Sequence, residues 1–513
     1  MDRFHSKTAV AALAALTLSG CSVGPHYQRP PALTQAPPAV YKESPANVPE
    51  QATGKTAQPQ DAMLHGKWWE IYNDPELNAL EEKLNIDNQT LKQAFENFLE
   101  SRTLIAETRS QLFPTVGVGP GYSHSESSAN NTSQAAAAAG VSNSGTIPKN
   151  RQASQISLPF DVSWEPDLWG RVRNQISAAQ YNAQVSAADL ENVRLTEQSS
   201  LAIYYFQVRG QDALRAVLEQ TVAHDQQALD YNRAQFETGV APEINAIEAQ
   251  NTLQNAQAQL AGLGIARAQY EHAIAVLVGT NPSSFSIPVK PLDAAPPQVP
   301  TGIPSQLLER RPDIAATERT MAAANARIGV ATAAFYPTVT LSASGGLQSS
   351  SWKHLFDWSS RFWSVGPQVS ETLYEGGLRR ATVNQYIETY NANVASYRQT
   401  VLTAFQQVED YLASERILAQ QLQLQQAALA SAQKFVDIEM TRYQTGIDPY
   451  INVVTAQNTL LLDQQSLATA HTQQMTASVQ LIVALGGGWD STQLPTPAQV
   501  SRRLTPAETT IQR

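Results

Sequence analysis

Residues that could catalyse a reaction or bind a metal occur in this 513-residue chain, but their spacing does not form a site. The eight histidines are scattered without the spacing of metal ligands, and Cys21 is the only cysteine. Gly486–Gly488 is followed by Trp489 rather than by Lys and Ser or Thr, so it is not a phosphate-binding loop. Acidic pairs lie on long helical segments, where ion pairs on the helix surface are expected. The sequence therefore predicts a protein that is not an enzyme and that has no metal or other cofactor.

Cys21 is the one residue whose context indicates covalent chemistry. Arg3 and Lys7 precede an apolar run of about 11 residues, which is too short to span a bilayer and reads as a signal peptide. The run ends in Leu-Ser-Gly-Cys, which is similar to the bacterial lipoprotein-processing sequence. We expect a covalent lipid on Cys21, which would become the mature N-terminus, and Ser22 favours sorting to the outer membrane. The alternative is a chance match after an ordinary signal peptide.

A ten-residue pattern around Gly239 recurs around Gly446, which shows that the chain is duplicated. Both copies read Thr-Gly, then Pro, Ile-Asn and Ala-Gln-Asn-Thr-Leu at one shift of 207 positions. Solenoid units run roughly 20–50 residues, so this period indicates a duplicated half-molecule instead. We call Thr238, Gly239 and Val240 the first tip, and Thr445, Gly446 and Ile447 the second tip. At each tip a long helix must reverse, and glycine tolerates the backbone that this requires.

Proline-free stretches at residues 167–241 and 368–448 predict the elements that carry the tips. Each contains a segment of about 69 residues with helical apolar spacing, which would be about 100 Å long. Shorter helices follow at residues 243–278 and 450–485. Helices of this length need a coiled-coil partner. A rod-like coiled-coil protein is the simplest alternative, but it does not explain the segments between the helices.

Strand-like segments lie between the helices of both copies. Residues 156–164 alternate apolar and polar side chains, as residues 116–122, 339–341 and 363–369 do more weakly. Segments of about ten residues that are apolar on one face are typical of transmembrane barrel strands, although a soluble sandwich is the alternative. Four strands cannot close a barrel, since at least about eight are needed. An open strand edge cannot face lipid, so the barrel must be shared by two chains or, with a channel-sized lumen, by three.

Composition and patterning divide the chain and exclude one class of partner. The net charge of −10 and the pI near 5.4 argue against nucleic-acid binding. The predicted parts are a signal peptide (1–20), a Pro/Ala/Gln-rich lipid-anchored tether (21–66), a first repeat (67–290; a helix, strand pair 113–166, helical hairpin 171–279), a second repeat (291–490; a helix, strand pair 336–376, helical hairpin 377–486) and a C-terminal tail (491–513).

Several motifs match one known family. The matching segments are Cys21-Ser22-Val23-Gly24-Pro25 with Tyr27 and Pro30, Trp68-Trp69 with Asp74-Pro75 and Leu77, Asp167-Leu168-Trp169-Gly170-Arg171, Leu307-Leu308-Glu309-Arg310-Arg311-Pro312-Asp313-Ile314, Ala323-Ala324, Ile328-Gly329 and Phe335-Tyr336-Pro337. The string that begins at Leu307 is the most specific. The chain resembles the TolC-type outer-membrane factors, in their lipoprotein (NodT-like) branch, over nearly its whole length.

The resemblance implies a mixed α and β fold, with four barrel strands and long coiled-coil helices in each chain. It implies a homotrimer whose twelve-stranded β-barrel spans the outer membrane and whose α-barrel crosses the periplasm. The implied partners are outer-membrane lipid, a periplasmic adaptor and an inner-membrane pump of the RND type. The five methionines are not clustered, which favours organic solutes over soft metal ions as cargo.

The resemblance also implies roles for particular residues. In the family the two helix reversals dock the adaptor, which would be the role of the first and second tips, although turn geometry alone could explain the glycines. An acidic residue just before the tip Ala-Gln often rings the closed aperture of the family. That position is Glu248 in the first repeat but Thr455 in the second, and Asp448 and Asn452 lie nearby. Three inward acids would repel one another and attract cations, but these groups could equally be solvated surface residues.

Overall fold

The computed structural model describes residues 23–33, 40–43, 66–126, 152–297, 299 and 307–502. Cys21, the signal peptide, residues 34–39 and 44–65 of the predicted tether, the connection at residues 127–151 and the tail from residue 503 lie outside these ranges. The principal elements follow one another along the chain as helices α1 (Pro75–Asp87) and α2 (Gln89–Ser110), strands β1 (Thr115–Val118), β2 (Gly121–Glu126) and β3 (Gln152–Trp164), helices α3 (Arg171–Glu237), α4 (Glu243–Leu277) and α5 (Pro312–Ala333), strands β4 (Thr338–Ser349) and β5 (Arg361–Ser370), and helices α6 (Leu378–Gln444) and α7 (Tyr450–Ala484). Short elements are also present: one-turn helices at Leu307–Arg310 and Pro497–Val500, and 3-10 helices at Trp68–Tyr72, Pro282–Ser284, Trp352–His354, Trp358–Ser360 and Ser491–Gln493.

The five strands form one antiparallel sheet that joins the two repeats. Its order is β1–β3–β4–β5, and β2 pairs with the same edge of β3 as β1 does. The second strand of the first repeat thus pairs with the first strand of the second repeat, from Ile156 opposite Ser349 to Trp164 opposite Leu341. Both outer edges of this sheet are unpaired among the described residues.

The first predicted strand is divided into β1 and β2 although its register does not change. Val118 lies opposite Phe160 and Gly121 opposite Ser157, so no residue is inserted between the two segments. Pro120 lies in the gap and has no N–H group with which to continue the ladder. β1 and β2 are therefore one strand, interrupted where Pro120 cannot donate a backbone hydrogen bond.

One face of the sheet is apolar and exposed. Alternate residues share this face, and the large side chains on it that are exposed are Val116, Val118, Tyr122, Phe160, Trp164, Leu341, Trp363, Val365 and Val369. Soluble single chains rarely expose a continuous apolar surface of this extent. This face is suited to contact with lipid.

Two long helical hairpins extend from the sheet, α3 with α4 and α6 with α7. The long helices have 67 residues each, or about 100 Å, and the shorter ones have 35 residues each. Each long helix starts after a glycine in the left-handed region, Gly170 with φ 79° and Gly377 with φ 91°. The equal lengths show that the duplication has preserved both hairpins.

Two apolar clusters hold the helices together around the middle of the long helices α3 and α6. One surrounds Trp68, Leu77, Tyr205 and Ile274 and includes Met475 of the second repeat. The other includes Ile314, Tyr397, Val401 and Leu481 together with Tyr41 of the N-terminal segment. The core thus lies where the two repeats meet, and the far ends of the hairpins depend on their own contacts.

A buried ion network ties the first hairpin to its surroundings. Asp212 Oδ1 accepts from Arg267 Nε at 2.7 Å, and its Oδ2 lies 3.6 Å from Arg209 Nη1. Arg209 also pairs with Glu76 of α1. In the second repeat the equivalent of Arg209 is Arg416, which binds Glu43 of the N-terminal segment at 2.7 Å. The two hairpins therefore use different charged partners at equivalent depths.

The described part of the N-terminal segment lies against the helices of the second repeat. The Val23 amide donates to Trp169 O at 3.1 Å, next to the sheet. Farther along, Tyr27 donates to Glu318 Oε1 at 2.5 Å and Arg29 Nη2 donates to Tyr397 Oη at 3.0 Å. Residue 23, two positions after Cys21, is thereby held close to the junction of strands and helices.

Candidate docking tips and gate

The first tip closes α3 with a well-defined C-terminal turn. Gly239 has φ 72°, and its amide donates to Phe236 O at 2.9 Å. The Val240 amide donates to Gln235 O at 2.9 Å. This pair of bonds is the Schellman motif, which requires a left-handed residue at the glycine position. The Val240 side chain is 74% exposed, so the turn presents an apolar point to its surroundings.

The second tip reproduces this turn atom for atom. Gly446 has φ 75°, its amide donates to Tyr443 O at 2.9 Å, and the Ile447 amide donates to Arg442 O at 2.9 Å. Ile447 is 65% exposed and takes the place of Val240. The duplication has therefore kept both the backbone and the exposed apolar side chain.

Tyr443 connects the second tip to the first hairpin. Its hydroxyl lies 2.8 Å from Asn232 Oδ1 and 2.9 Å from Gln235 Oε1, and it accepts from Asn245 Nδ2 at 3.4 Å. A single hydroxyl proton can serve only one of the two oxygens at a time. The Tyr443 ring lies 5.2 Å from that of Tyr450. The hydroxyl bonds of Tyr443 therefore hold the two hairpins together near their ends, and its ring packs within the second hairpin.

A small apolar cluster completes the junction between the hairpins. Its buried members are Leu229, Ala249, Leu253, Tyr450, Val453 and Val454. Burial, with the nearby charges of Asp225 and Glu248, raises the pKa of Tyr450 to about 12. Tyr450 therefore remains neutral at physiological pH and packs as a polar-tipped aromatic side chain.

Asp225 is a buried carboxyl group beside this cluster. It is 3% exposed, and its Oδ2 has no hydrogen-bond partner among the described residues. Burial raises its pKa from 3.8 to about 6, against a smaller opposing effect of His224. Burial without a hydrogen-bond partner disfavours the ionised form of this carboxyl group.

The predicted gate residues have different surroundings. Asp448 is bound by the Arg442 guanidinium, which lowers the pKa of its carboxyl group. Thr455 is exposed, and its hydroxyl donates to Ile451 O at 2.8 Å within its own helix. Glu248 and Asn452 are half-buried. Because Asp448 is already neutralised, Glu248 is the acidic member of the set that lacks an ion pair among the described residues.

Sequence reasoning did not identify Tyr443, Asp225 or Arg442. The two copies differ at these positions, but they also differ at most of the neighbouring positions, so comparison of the repeats did not single these residues out. The first copy has Phe236 where the second has Tyr443, and the second copy has Ala432 where the first has Asp225. The contacts that distinguish the hairpins lie at positions where the two copies differ.

Metal sites and membrane-spanning helices were also considered among the described residues. No cluster of three or more His, Cys, Asp or Glu side chains suited to a metal ion occurs among them. Within the same ranges, no helix is both long enough and apolar enough to cross a membrane.

One sheet joined to two long helical hairpins is the architecture of the TolC-type outer-membrane channels. The structure matches that of the outer-membrane channel OprN with a TM-score of 0.78 at 25% identity, covering 91% of this chain and 100% of the other. It also matches CusC with a TM-score of 0.76 at 24% identity and the same coverage. The predicted fold class is therefore confirmed.

The family model described as outer membrane efflux protein matches residues 80–280 and 303–487, so the chain belongs to that family. It is 32% identical to the probable efflux pump outer membrane protein TtgC of Pseudomonas putida, covering 93% of this chain and 95% of the relative. Identity to the outer membrane protein OprJ of Pseudomonas aeruginosa is 31%, covering 94% and 95%. The predicted function as an outer-membrane efflux channel is confirmed.

Proposed function

We propose that three copies of this chain form a lipid-anchored channel that receives solutes from a periplasmic adaptor and an inner-membrane pump of the RND type. The observation that carries this proposal is the sheet with two unpaired edges. Unpaired backbone groups in lipid cost several kcal/mol each, so β5 of one copy must pair with β1 and β2 of the next. Three copies of four strand positions supply twelve strands, enough for a channel.

The two tips are the proposed docking surface for the adaptor. Both present the same Schellman turn with an exposed apolar side chain, Val240 or Ile447. Three chains would present six such turns at the periplasmic end, arranged with quasi-sixfold symmetry. An adaptor that binds both kinds of tip would recognise the backbone shape and this apolar point.

Glu248 is the proposed acidic residue of the periplasmic gate. Three symmetry-related carboxylates would concentrate cations at the aperture. Thr455 contributes no charge at the equivalent place in the second repeat, and Asp448 is neutralised by Arg442. The aperture would therefore carry one acidic ring instead of two, with Asn452 as a neutral polar neighbour.

Cys21 is the proposed lipid attachment site. The contact of Val23 with Trp169 supports this proposal, because it holds the chain near the apolar sheet, at the depth of a membrane surface. Metabolic labelling with a fatty acid should label the wild type and leave Cys21→Ser unlabelled. Label on the variant would contradict the assignment.

The proposed cargo consists of organic solutes. Among the relatives, one is named as a toluene efflux pump protein and another as an antibiotic efflux pump protein, both of Pseudomonas putida. A susceptibility profile of a deletion strain to aromatic solvents, antibiotics and copper would identify the class. Sensitivity to copper alone would contradict the proposal.

The assembly is tested by mass and by conductance. In mild detergent, light scattering should give about three times the chain mass after correction for detergent, and the same sample should conduct ions in a planar bilayer. A conducting monomer would contradict the shared barrel. A conducting dimer would retain the channel but contradict the trimer.

A further inference from the structure

The connection between β4 and β5 lies at the end of the sheet farthest from the helices. The helices α5 and α6 attach at the other ends of these two strands, through residues 334–337 and 371–377. In an outer-membrane channel this connection therefore faces the cell exterior. It includes two single-turn 3-10 helices, Trp352–His354 and Trp358–Ser360.

Arg361, the first residue of β5, occupies the apolar face of the sheet. It pairs with Leu347, and the next residue of β5 on the same face is Trp363, which is 80% exposed. The side chain of Arg361 stands perpendicular to the sheet, so it does not occupy the free backbone edge of β5. Pairing of that edge with another copy would therefore leave Arg361 on the outer surface.

Trp358 lies directly against Arg361. The guanidinium carbon is 3.4 Å from the centre of the indole, which is a close cation–π contact. Trp358 is 77% exposed, so the stacked pair remains open to its surroundings. An arginine placed over an indole keeps its charge and its outer N–H groups available.

The rest of the loop holds this arrangement in place. Ser360 Oγ donates to His354 O at 2.6 Å, and Leu355 is buried beneath the turn. The only carboxylate within the loop, Asp357, lies 2.8 Å from His354 Nδ1. Lys353 adds a second basic residue, and the exposed rings of Trp352 and Phe356 flank it.

The distance along β5 places Arg361 near the outer limit of the lipid-facing band. Arg361 and Val369 are eight residues apart on one face, about 27 Å along the strand and about 20 Å for a strand tilted by about 40°. The apolar band of an outer-membrane protein is about 25 Å tall. With Val369 at the inner limit, the backbone of Arg361 lies about 5 Å below the outer limit, and its long side chain can extend to the outer-leaflet headgroups.

We propose that Arg361 and Trp358, supported by Lys353, form a docking site for a phosphate-bearing lipid headgroup of the outer leaflet. Arginine binds phosphate through two parallel N–H donors, and the indole of Trp363, two residues nearer the membrane centre on the same face, contacts the acyl region below the headgroup. This site lies on the lipid-facing surface, apart from the export path, and it rests on the outer-membrane location of the family.

The test uses the purified full-length protein in mild detergent, with bis-phosphorylated lipid A as the probe in native mass spectrometry. Arg361→Gln should bind this lipid about tenfold more weakly, since one charge-assisted contact is lost. Trp358→Ala should also weaken binding, whereas Trp358→Phe should retain most of it. The control Arg398→Gln removes the same charge from an exposed position on α6 and should bind as the wild type does.

Three results of the binding measurements would overturn the proposal. They are unchanged lipid A affinity in Arg361→Gln, equal binding of lipid A from which both phosphates have been removed, and displacement of the lipid by an equal concentration of inorganic phosphate. Loss of the trimer in both Arg361→Gln and Trp358→Phe would also overturn it, because the site would then be covered by a second copy. Conductance in planar bilayers should be unchanged, which separates this site from the channel function itself.

Discussion

The first tip, at Gly239, and the second tip, at Gly446, share one backbone turn and differ in the side chains around it. Both turns have the same two amide bonds and nearly the same φ at glycine. Around the second tip, however, Arg442 pairs with Asp448, and Tyr443 reaches across to the first hairpin. The equivalents of Arg442 and Asp448 in the first copy are Gln235 and Ala241, which cannot form an ion pair.

This difference separates what both tips must do from what only one does. A common partner that binds every tip can depend only on the shared turn and its exposed apolar residue. Contacts found on one side alone can instead hold the two hairpins together or let them part. The comparison therefore predicts that changes to the shared turn act on docking, and that changes to the unshared contacts act on stability and leakage.

The largest effect is expected from Gly239→Val combined with Gly446→Val. A Cβ at either glycine meets no atom within 4 Å, so the cost comes from the left-handed backbone alone. That strain is of order 1–3 kcal/mol per site, enough to distort the turn but too little to undo a trimer. Export should fail and crosslinking to the adaptor should be lost, with normal amounts of outer-membrane trimer.

Gly377→Val is the matched control for this pair. Gly377 also has a positive φ and open space where a Cβ would lie, but it is beside the sheet rather than at a tip. The Gly377→Val variant should retain adaptor crosslinking. Normal export by the double tip variant would show that the shared motif is only a turn and has no role in docking. Loss of its trimer would show that the two glycines are needed for folding.

The next effect concerns Asp225, whose equivalent in the second hairpin is the buried Ala432. The folded chain holds the Asp225 proton more tightly than the unfolded chain does, since its pKa is raised from 3.8 to about 6. The free energy of unfolding should therefore fall as pH rises from about 4 through about 6. Asp225→Asn should raise stability at neutral pH by about 2 kcal/mol per chain and flatten this dependence.

Thermal unfolding of the detergent-solubilised protein at several pH values measures this effect. Asp230→Asn is the control, because Asp230 is an exposed carboxylate on the same helix that accepts from Gln226 at 3.0 Å. It should leave the pH profile unchanged. An unchanged profile in Asp225→Asn would show that Asp225 is ionised without cost and is not a distinguishing feature of the first hairpin.

A smaller effect is expected from Tyr443→Phe, which gives the second tip the residue that Phe236 supplies in the first. The change removes the hydroxyl bonds to the first hairpin, at a cost of about 1 kcal/mol per chain. Trimers should persist, with a lower unfolding temperature and a higher leak conductance in planar bilayers. Tyr374→Phe is the control, because it removes the hydroxyl of a side chain that is 89% exposed and lies away from the tips, and it should change neither value.

The long helices and the sheet could be predicted from sequence because their signals are local. Proline-free stretches and helical spacing indicated α3 and α6, and alternation indicated β3. The division of β1 from β2 was missed, although Pro120 is visible in the sequence, because an alternating pattern does not record the loss of a single donor. The packing of residues 23–33 and 40–43 on the second repeat was also beyond a reading of composition, since partners such as Glu318 and Glu409 lie hundreds of residues away.

The tips were indicated by the repeat itself, but their partners were not. A match at Gly239 and Gly446 identifies a shared turn, while the residues that hold the hairpins together are the ones that do not match. The contact between Tyr443 and Asn232 spans 211 residues, and no local pattern indicates it. Asp448 was considered as a gate residue from its sign of charge, and only the structure pairs it with Arg442.

The smallest effect should come from the Arg442–Asp448 pair, because both side chains lie at the surface and water screens their attraction. Arg442 lowers the pKa of Asp448. The pair therefore stabilises the second tip above the ordinary carboxyl range, and this contribution is lost as pH falls through the lowered pKa. Hydrogen exchange of the tip peptides at about pH 3 and about pH 6, corrected for intrinsic rates, would measure it. Arg442→Gln should remove this contribution, so that the difference in protection of the second tip between the two pH values disappears.

Gln235→Arg with Ala241→Asp copies the pair into the first tip and should give that tip the same pH response. If the copied pair protects nothing, the difference between the tips lies in Tyr443 rather than in this ion pair.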